Sequence, residues 1–222
     1  KKAIDILEKT VLSVKETTVE KCFTYLHGNE VRDRFQMFKR IGPPRKWQEE
    51  IVGKIASHFY ENETTTVLIS GPPGIGKSTI GEFLVYKLRE KDLRPSYICN
   101  FNPTIPDMQI DEVVPYQPDK EMPVIISMDE YDIAVGIAVN SEKTNKLIDK
   151  HSMSYASSKT ELCGLMDRLS RSYNFITIAT TNKDISKPSD EMPIAYTREG
   201  RFHLKFQIYE TTKGKFNIKH IA

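Results

Sequence analysis

The stretch GPPGIGKST, residues 71–79, follows the β-branched run TTVLIS (65–70) directly and leads into the amphipathic run STIGEFLVYKLRE (78–90). A glycine-rich loop set between a buried strand and a helix constrains the fold more than any other feature of the chain. A helix leaving the end of a strand carries the chain back across the sheet, so the strand that follows it runs parallel to the first. The same alternation continues downstream. PSYICNF (95–101), MPVIISMD (122–129), NFITIAT (174–180) and FHLKFQI (202–208) read as strands, and ELCGLMDRLSRS (161–172) reads as a helix. Upstream, PPRKWQEEIVGKIASHFY reads as a helix with proline near its start and Ile51, Ile55 and Phe59 on one face. The expected class is α/β, a largely parallel sheet flanked by helices. In such sheets the functional groups gather at the carboxyl ends of the strands.

Residues 1–40 carry a different pattern. Ile4, Leu7, Val11 and Val14 recur at helical spacing, and Val19, Cys22 and Leu26 continue it past the weak helix formers Thr17 and Thr18. This predicts an N-terminal helical extension over 1–40, with HGNE (27–30) as a turn and IGPPRK (41–46) as a linker. A core over 41–210 and a short tail over 211–222 complete the division. With 222 residues and a net charge of +2, the chain has room for one domain with an extension and no polyanion-binding bias in its overall charge. Cys22, Cys99 and Cys163 lack zinc-type pairing and read as reduced core thiols, which suits the cytoplasm or another reducing soluble compartment. No stretch reaches the ~18 apolar residues of a membrane span.

Gly71, Gly76, Lys77 and Ser78 complete G-x-x-x-x-G-K-[ST] in its proper strand–helix setting. Glycine lets backbone N–H groups turn inward around an anion, because no Cβ stands in the way. Gly71, Pro72, Pro73, Gly74, Ile75, Gly76, Lys77, Ser78 and Thr79 are thus the expected contacts of a nucleoside triphosphate. Lys77 reaches its outer phosphates, Ser78 ligates Mg²⁺, and Thr79 is a further hydroxyl for the inner phosphate. VIISMDEYD (124–132) ends a strand with Asp129 as a second group for Mg²⁺ and Glu130 as a base for the attacking water. After NFITIAT, Asn182 and Thr181 compete as the group that contacts that water or the γ-phosphate. YTREGRFHLKF places Arg198 and Arg201 three residues apart before the last strand. They read either as guanidinium groups for the transferring phosphoryl or as surface arginines.

Together these four stretches resemble the AAA ATPase family. GPPGIGKST looks like its Walker A, VIISMDEYD its Walker B, ATTN its sensor 1, and TREGRF its R-x-G-R-F finger element. MDEYDIA, ELCGLMDRLS and ATTN in succession are similar to the branch of the mitochondrial AAA chaperone that translocates the Rieske iron–sulphur protein. The resemblance implies an AAA-type core that binds ATP with Mg²⁺ and hydrolyses it. In it Lys77, Glu130 and Asn182 act at one site, Ile41 and Gly42 line the adenine pocket, and Arg198 and Arg201 reach the neighbouring subunit's site. It further implies a homo-oligomeric ring, usually hexameric, that remodels or threads a protein.

Three departures accompany the likeness. The fifteen residues KDISKPSDEMPIAYT between Asn182 and Arg198 exceed the usual spacing, His203 stands where an acid is common, and fourteen residues after FHLKFQI are too few for a helical lid. The family's pore loops would fall in NPTIPDMQIDEVVPYQPDKE (102–121) and in the polar 140–160 segment. The basic run RDRFQMFKRIGPPRK (32–46) keeps a nucleic-acid-associated ATPase, such as a helicase loader or packaging accessory, as the alternative.

Overall fold

A computed structural model describes residues 18–27, 30–39, 42–104, 110, 114, 117–144, 156, 158–187, 189, 192–212 and 214–221, with backbone alone in 18–39 and 142–144. In chain order the elements are β1 (Thr18–His27), β2 (Glu30–Lys39), α1 (Lys46–Asn62), β3 (Thr64–Ser70), α2 (Ile80–Arg89), β4 (Ser96–Ile98) and β5 (Val124–Met128). They continue with α3 (Tyr131–Thr144), α4 (Lys159–Leu169), β6 (Phe175–Thr181), α5 (Ile194–Thr197), β7 (Leu204–Glu210) and β8 (Phe216–His220). All eight strands join one sheet in the order β2-β1-β4-β5-β6-β3-β7-β8. The six inner strands are mutually parallel, and β2 and β8 run antiparallel at the two edges.

Period-two alternation assigns the strand residues to two apolar layers. Val67 and Ile69 of β3, Ile125 of β5 and Ile178 of β6 pack with Ile51, Ile55 and Phe59 of α1 and Ile80, Leu84 and Leu88 of α2. Leu68, Ile126, Met128 and Ala179 face the other way, onto Tyr131 and Val135 of α3, Leu162, Met166 and Leu169 of α4, and Tyr196 of α5. Sheet residues buried on both faces explain why these strands read as continuous apolar runs. Cys99 and Cys163 are buried and form no disulfide among the described residues.

The expected helical extension is corrected over 18–39. There the chain forms a β-hairpin in register from Thr18↔Lys39 to His27↔Glu30, and β1 pairs parallel to β4 through Lys21↔Tyr97 and Cys22↔Ile98. Residues 1–17 lie outside the described residues. Thr18, Val19, Phe23, Thr24 and Tyr25 are strand formers, and only the Gly28-Asn29 pair separates the two runs, a two-residue hairpin signal. Spacing at i, i+3 and i+4 among a few apolar residues was outweighed by that turn chemistry and by a free sheet edge at β4. The expected tail is corrected too: residues 216–220 form β8 on the edge of β7, from Phe206↔His220 to Glu210↔Phe216. Half of the 102–121 segment and most of the 140–160 segment proposed for pore loops lie outside the described residues.

Candidate nucleotide-binding site

Three neighbouring strand ends build the site. β6 lies between β3 and β5, with Ser70 opposite Thr181 and Met128 opposite Ala179. Gly71 N–H donates to Thr181 O (3.3 Å), which ties the first residue of the phosphate loop to the end of β6. Here the loop must approach a neighbouring strand closely: a Cβ on Gly71 would lie 2.8 Å from Ile208 Cβ. Gly74 and Gly76 have φ of +73° and +93°, a region open to glycine at little cost. α2 begins at Ile80, slightly later than the amphipathic pattern suggests, after a turn closed by Ile80 N–H to Lys77 O (3.1 Å).

Lys77 is 7% exposed, and its ammonium donates to Gly71 O, Pro72 O and Asn182 Oδ1, each at 2.8 Å. Burial lowers its pKa, while the nearby Asp129 and Asp132 act in the opposite sense. The β6 hydroxyls link the two motif-bearing strands. Thr180 Oγ1 donates to Asp129 Oδ1 (2.9 Å) and Thr181 Oγ1 to Asp132 Oδ1 (2.8 Å). Thr181 Oγ1 also accepts from Lys183 N (3.0 Å), so it orients the turn that carries Asn182. Glu130 is exposed and has φ +54°. That left-handed backbone turns the chain from β5 into α3, where Ile133 N–H bonds to Glu130 O (2.8 Å).

Pro73, Gly74, Gly76, Lys77, Ser78, Asp129, Glu130, Thr180, Thr181 and Asn182 line one cleft of about 510 Å³. The expected residues that do not line it shape it instead. Gly71 and Ile75 are buried, and Pro72 turns its carbonyl toward Lys77. Thr79, expected to contact the inner phosphate, donates its hydroxyl to Gly76 O (2.8 Å) and accepts from Gln48 Nε2 (2.9 Å). Gly42 lines a separate cavity of about 420 Å³ with Pro43, Pro44, Val52, Phe83 and Tyr86; Ile41 lies outside the described residues.

Arg201 does not join the cleft. It is 6% exposed and bidentate to Asp167 of α4, Nε to Oδ1 at 2.8 Å and Nη2 to Oδ2 at 3.1 Å, with Nη1 also donating to Ala195 O. This pair holds the Asp167 carboxyl below its usual pKa. The guanidinium of Arg201, expected to project as a cation, is thus bonded within its own chain. The Arg198 side chain remains 58% exposed, with Nη2 3.9 Å from Asp167 Oδ2. Sequence reasoning missed Gln48, whose signal was a glutamine at the third position of a helix that starts beside the loop.

A family model described as Novel STAND NTPase 3 matches residues 54–130, from within α1 to Glu130. That span contains the phosphate loop, its strand and helix, and both carboxylates of the second motif. The chain has a P-loop NTPase core. The match is to an NTPase and carries no support for the narrower likeness to the Rieske-translocating chaperone branch. No curated protein matches the chain. Among the described residues, no helix of this NTPase core is long and apolar enough to cross a membrane. Among the described residues there is also no group of three or more His, Cys, Asp and Glu side chains that could hold a metal ion.

Proposed function

We propose that the chain is an AAA-type ATPase that works as a homo-oligomeric ring and couples hydrolysis to remodelling or translocating a protein. The observation that carries the ATPase reading is the convergence of Lys77, Ser78, Asp129, Glu130 and Asn182 on one cleft from three adjacent strand ends. Lys77 exchanges carbonyl partners for β- and γ-phosphate oxygens, Ser78 and Asp129 hold Mg²⁺, and Asn182 contacts the γ-phosphate or the attacking water. Glu130 takes the proton of that water. The cavity beside Gly42 suits a purine ring, with Phe83 and Tyr86 supplying aromatic surface. Arg198 is the guanidinium available to a neighbouring subunit.

The test is a pair of variants. Lys77→Ala should lose binding of a fluorescent ATP analogue. Glu130→Gln should keep binding yet slow single-turnover hydrolysis by at least ~10²-fold, the usual size of general-base catalysis. Near-normal affinity in the first, or unchanged single-turnover hydrolysis in the second, would remove the site from its assigned role. Stimulation by an unfolded protein rather than by DNA separates the remodelling reading from the nucleic-acid-associated one.

A further inference from the structure

We infer that Gln48, at the start of α1, is a positioning residue for nucleotide binding. It holds the phosphate-loop peptides in the orientation that points their N–H groups into the cleft. The inference rests on the nucleotide reading above and concerns a residue outside the loop and outside the cleft. Gln48 is 4% exposed, and its amide is bonded at both ends. Nε2 donates to Gly76 O (3.0 Å) and to Thr79 Oγ1 (2.9 Å), while Oε1 accepts from Arg45 N–H (2.8 Å) at the N-cap of α1. Two donations from one end and one acceptance at the other determine which end of the amide is nitrogen. At Ile75, the loop residue before Gly76, the carbonyl accepts from Arg45 Nη1 (2.9 Å).

The consequence follows from the planar trans peptide, in which C=O of one residue and N–H of the next point in opposite directions. With Gly76 O held against α1, Lys77 N–H points away from α1, toward the side where an anion nest must form. Arg45 does the same for the Ile75 carbonyl and the Gly76 N–H. Gly76 is the residue at which this control matters, because its φ of +93° and missing Cβ make rotation of the 76–77 peptide easy. A rotated peptide would replace an N–H donor with a carbonyl oxygen facing phosphate. A Cβ at Gly76 would also crowd the contact itself, standing 3.1 Å from Gln48 Nε2.

Three variants test this, each measured for nucleotide Kd, kcat and thermal midpoint. Gln48→Leu keeps the bulk and removes the donors, and should raise the Kd for the ATP analogue about 10-fold with kcat within about 2-fold of wild type. Thr79 Oγ1 is a second donor on Gly76 O, so Gln48→Leu combined with Thr79→Val should raise Kd further, toward 100-fold. Gln48→Glu keeps the shape and the acceptor for Arg45 N–H but sets a carboxylate against Gly76 O. Its Kd should exceed that of Gln48→Leu near pH 8 and recover relative to wild type as pH falls and the carboxyl gains a proton to donate. A purely structural role would lower the thermal midpoint while leaving Kd and its pH profile as in wild type. That result in variants folded at the assay temperature, alongside a wild type that binds nucleotide, overturns the assignment and leaves the nucleotide site standing. A wild type that binds no nucleotide overturns both.

Discussion

His203 Nδ1 accepts from the Thr66 backbone N–H (3.0 Å) and lies 3.1 Å from Thr66 Oγ1, and the His203 backbone N–H donates to Thr66 O at 2.9 Å. Thr66 is fully buried, so its N–H depends on a neutral imidazole with an unprotonated Nδ1. The ring stacks on His58 with centroids 5.1 Å apart, and His58 in turn lies 3.1 Å from Thr65 Oγ1. Burial lowers both pKa values from the ordinary 6.5, although Glu61 partly offsets the effect at His58. The folded protein therefore binds fewer protons than the unfolded chain just below pH 6.5, and stability rises with pH through that window. The thermal midpoint should be level at pH 7–8 and fall as pH drops through about 6.5 toward the lowered folded values. His203→Asn, whose Oδ1 can stand in for Nδ1 as acceptor, should flatten part of that acid limb. Identical limbs in the two proteins would remove His203 from the explanation. This pairing joins residues far apart in the chain, and no local pattern around His203 announced it.

At the scale of elements, the loop that follows α5 and leads toward β7 separates two arginines that look equivalent in TREGRF. Arg201 points inward and closes α4 onto this loop through Asp167 and Ala195, while Arg198 stays at the solvent face. Arg201→Ala leaves Asp167 without its bidentate partner. It should cost about 2–3 kcal/mol of stability, somewhat less than loss of a fully buried pair, because Asp167 keeps a third of its side chain in water. Arg198→Ala should change stability by less than about 0.5 kcal/mol, as exposed substitutions do. Urea denaturation compares the two, and equal losses would contradict the division. The motif located both residues, but the difference between them lies in α4, some thirty positions upstream. The β1–β2 hairpin teaches the complementary lesson. Its Gly28-Asn29 pair and its β-branched and aromatic residues are legible in the sequence, and this turn chemistry outweighs the sparse helical spacing around it.

For the whole molecule, the ring reading makes hydrolysis a property of the interface. A cleft built from Lys77, Asp129, Glu130 and Asn182 holds one mobile cation, and Arg198 is the exposed guanidinium that a second copy could present to it. Turnover per subunit should therefore rise with protein concentration, and Arg198→Ala should bind nucleotide but hydrolyse it slowly, since a finger supplied in trans is worth ~10³–10⁵ in rate. Mixing Arg198→Ala with Glu130→Gln subunits should restore part of the activity, at interfaces where an intact Glu130 meets an intact Arg198. Sedimentation with ATP present should show assembly under the same conditions. A monomer with concentration-independent turnover and no rescue on mixing would sink the ring. What the sequence determined by itself was local: the phosphate loop, the acidic pair after a buried strand, and the parallel α/β alternation. Each of these depends on neighbours within a few residues and on the period of burial. The tertiary structure alone decided the pairing of His203 with Thr66, of Arg201 with Asp167, and of Gln48 with the loop. Those contacts depend on strand order and on which helix end meets which loop, and the spacing of residues along a chain does not encode that order.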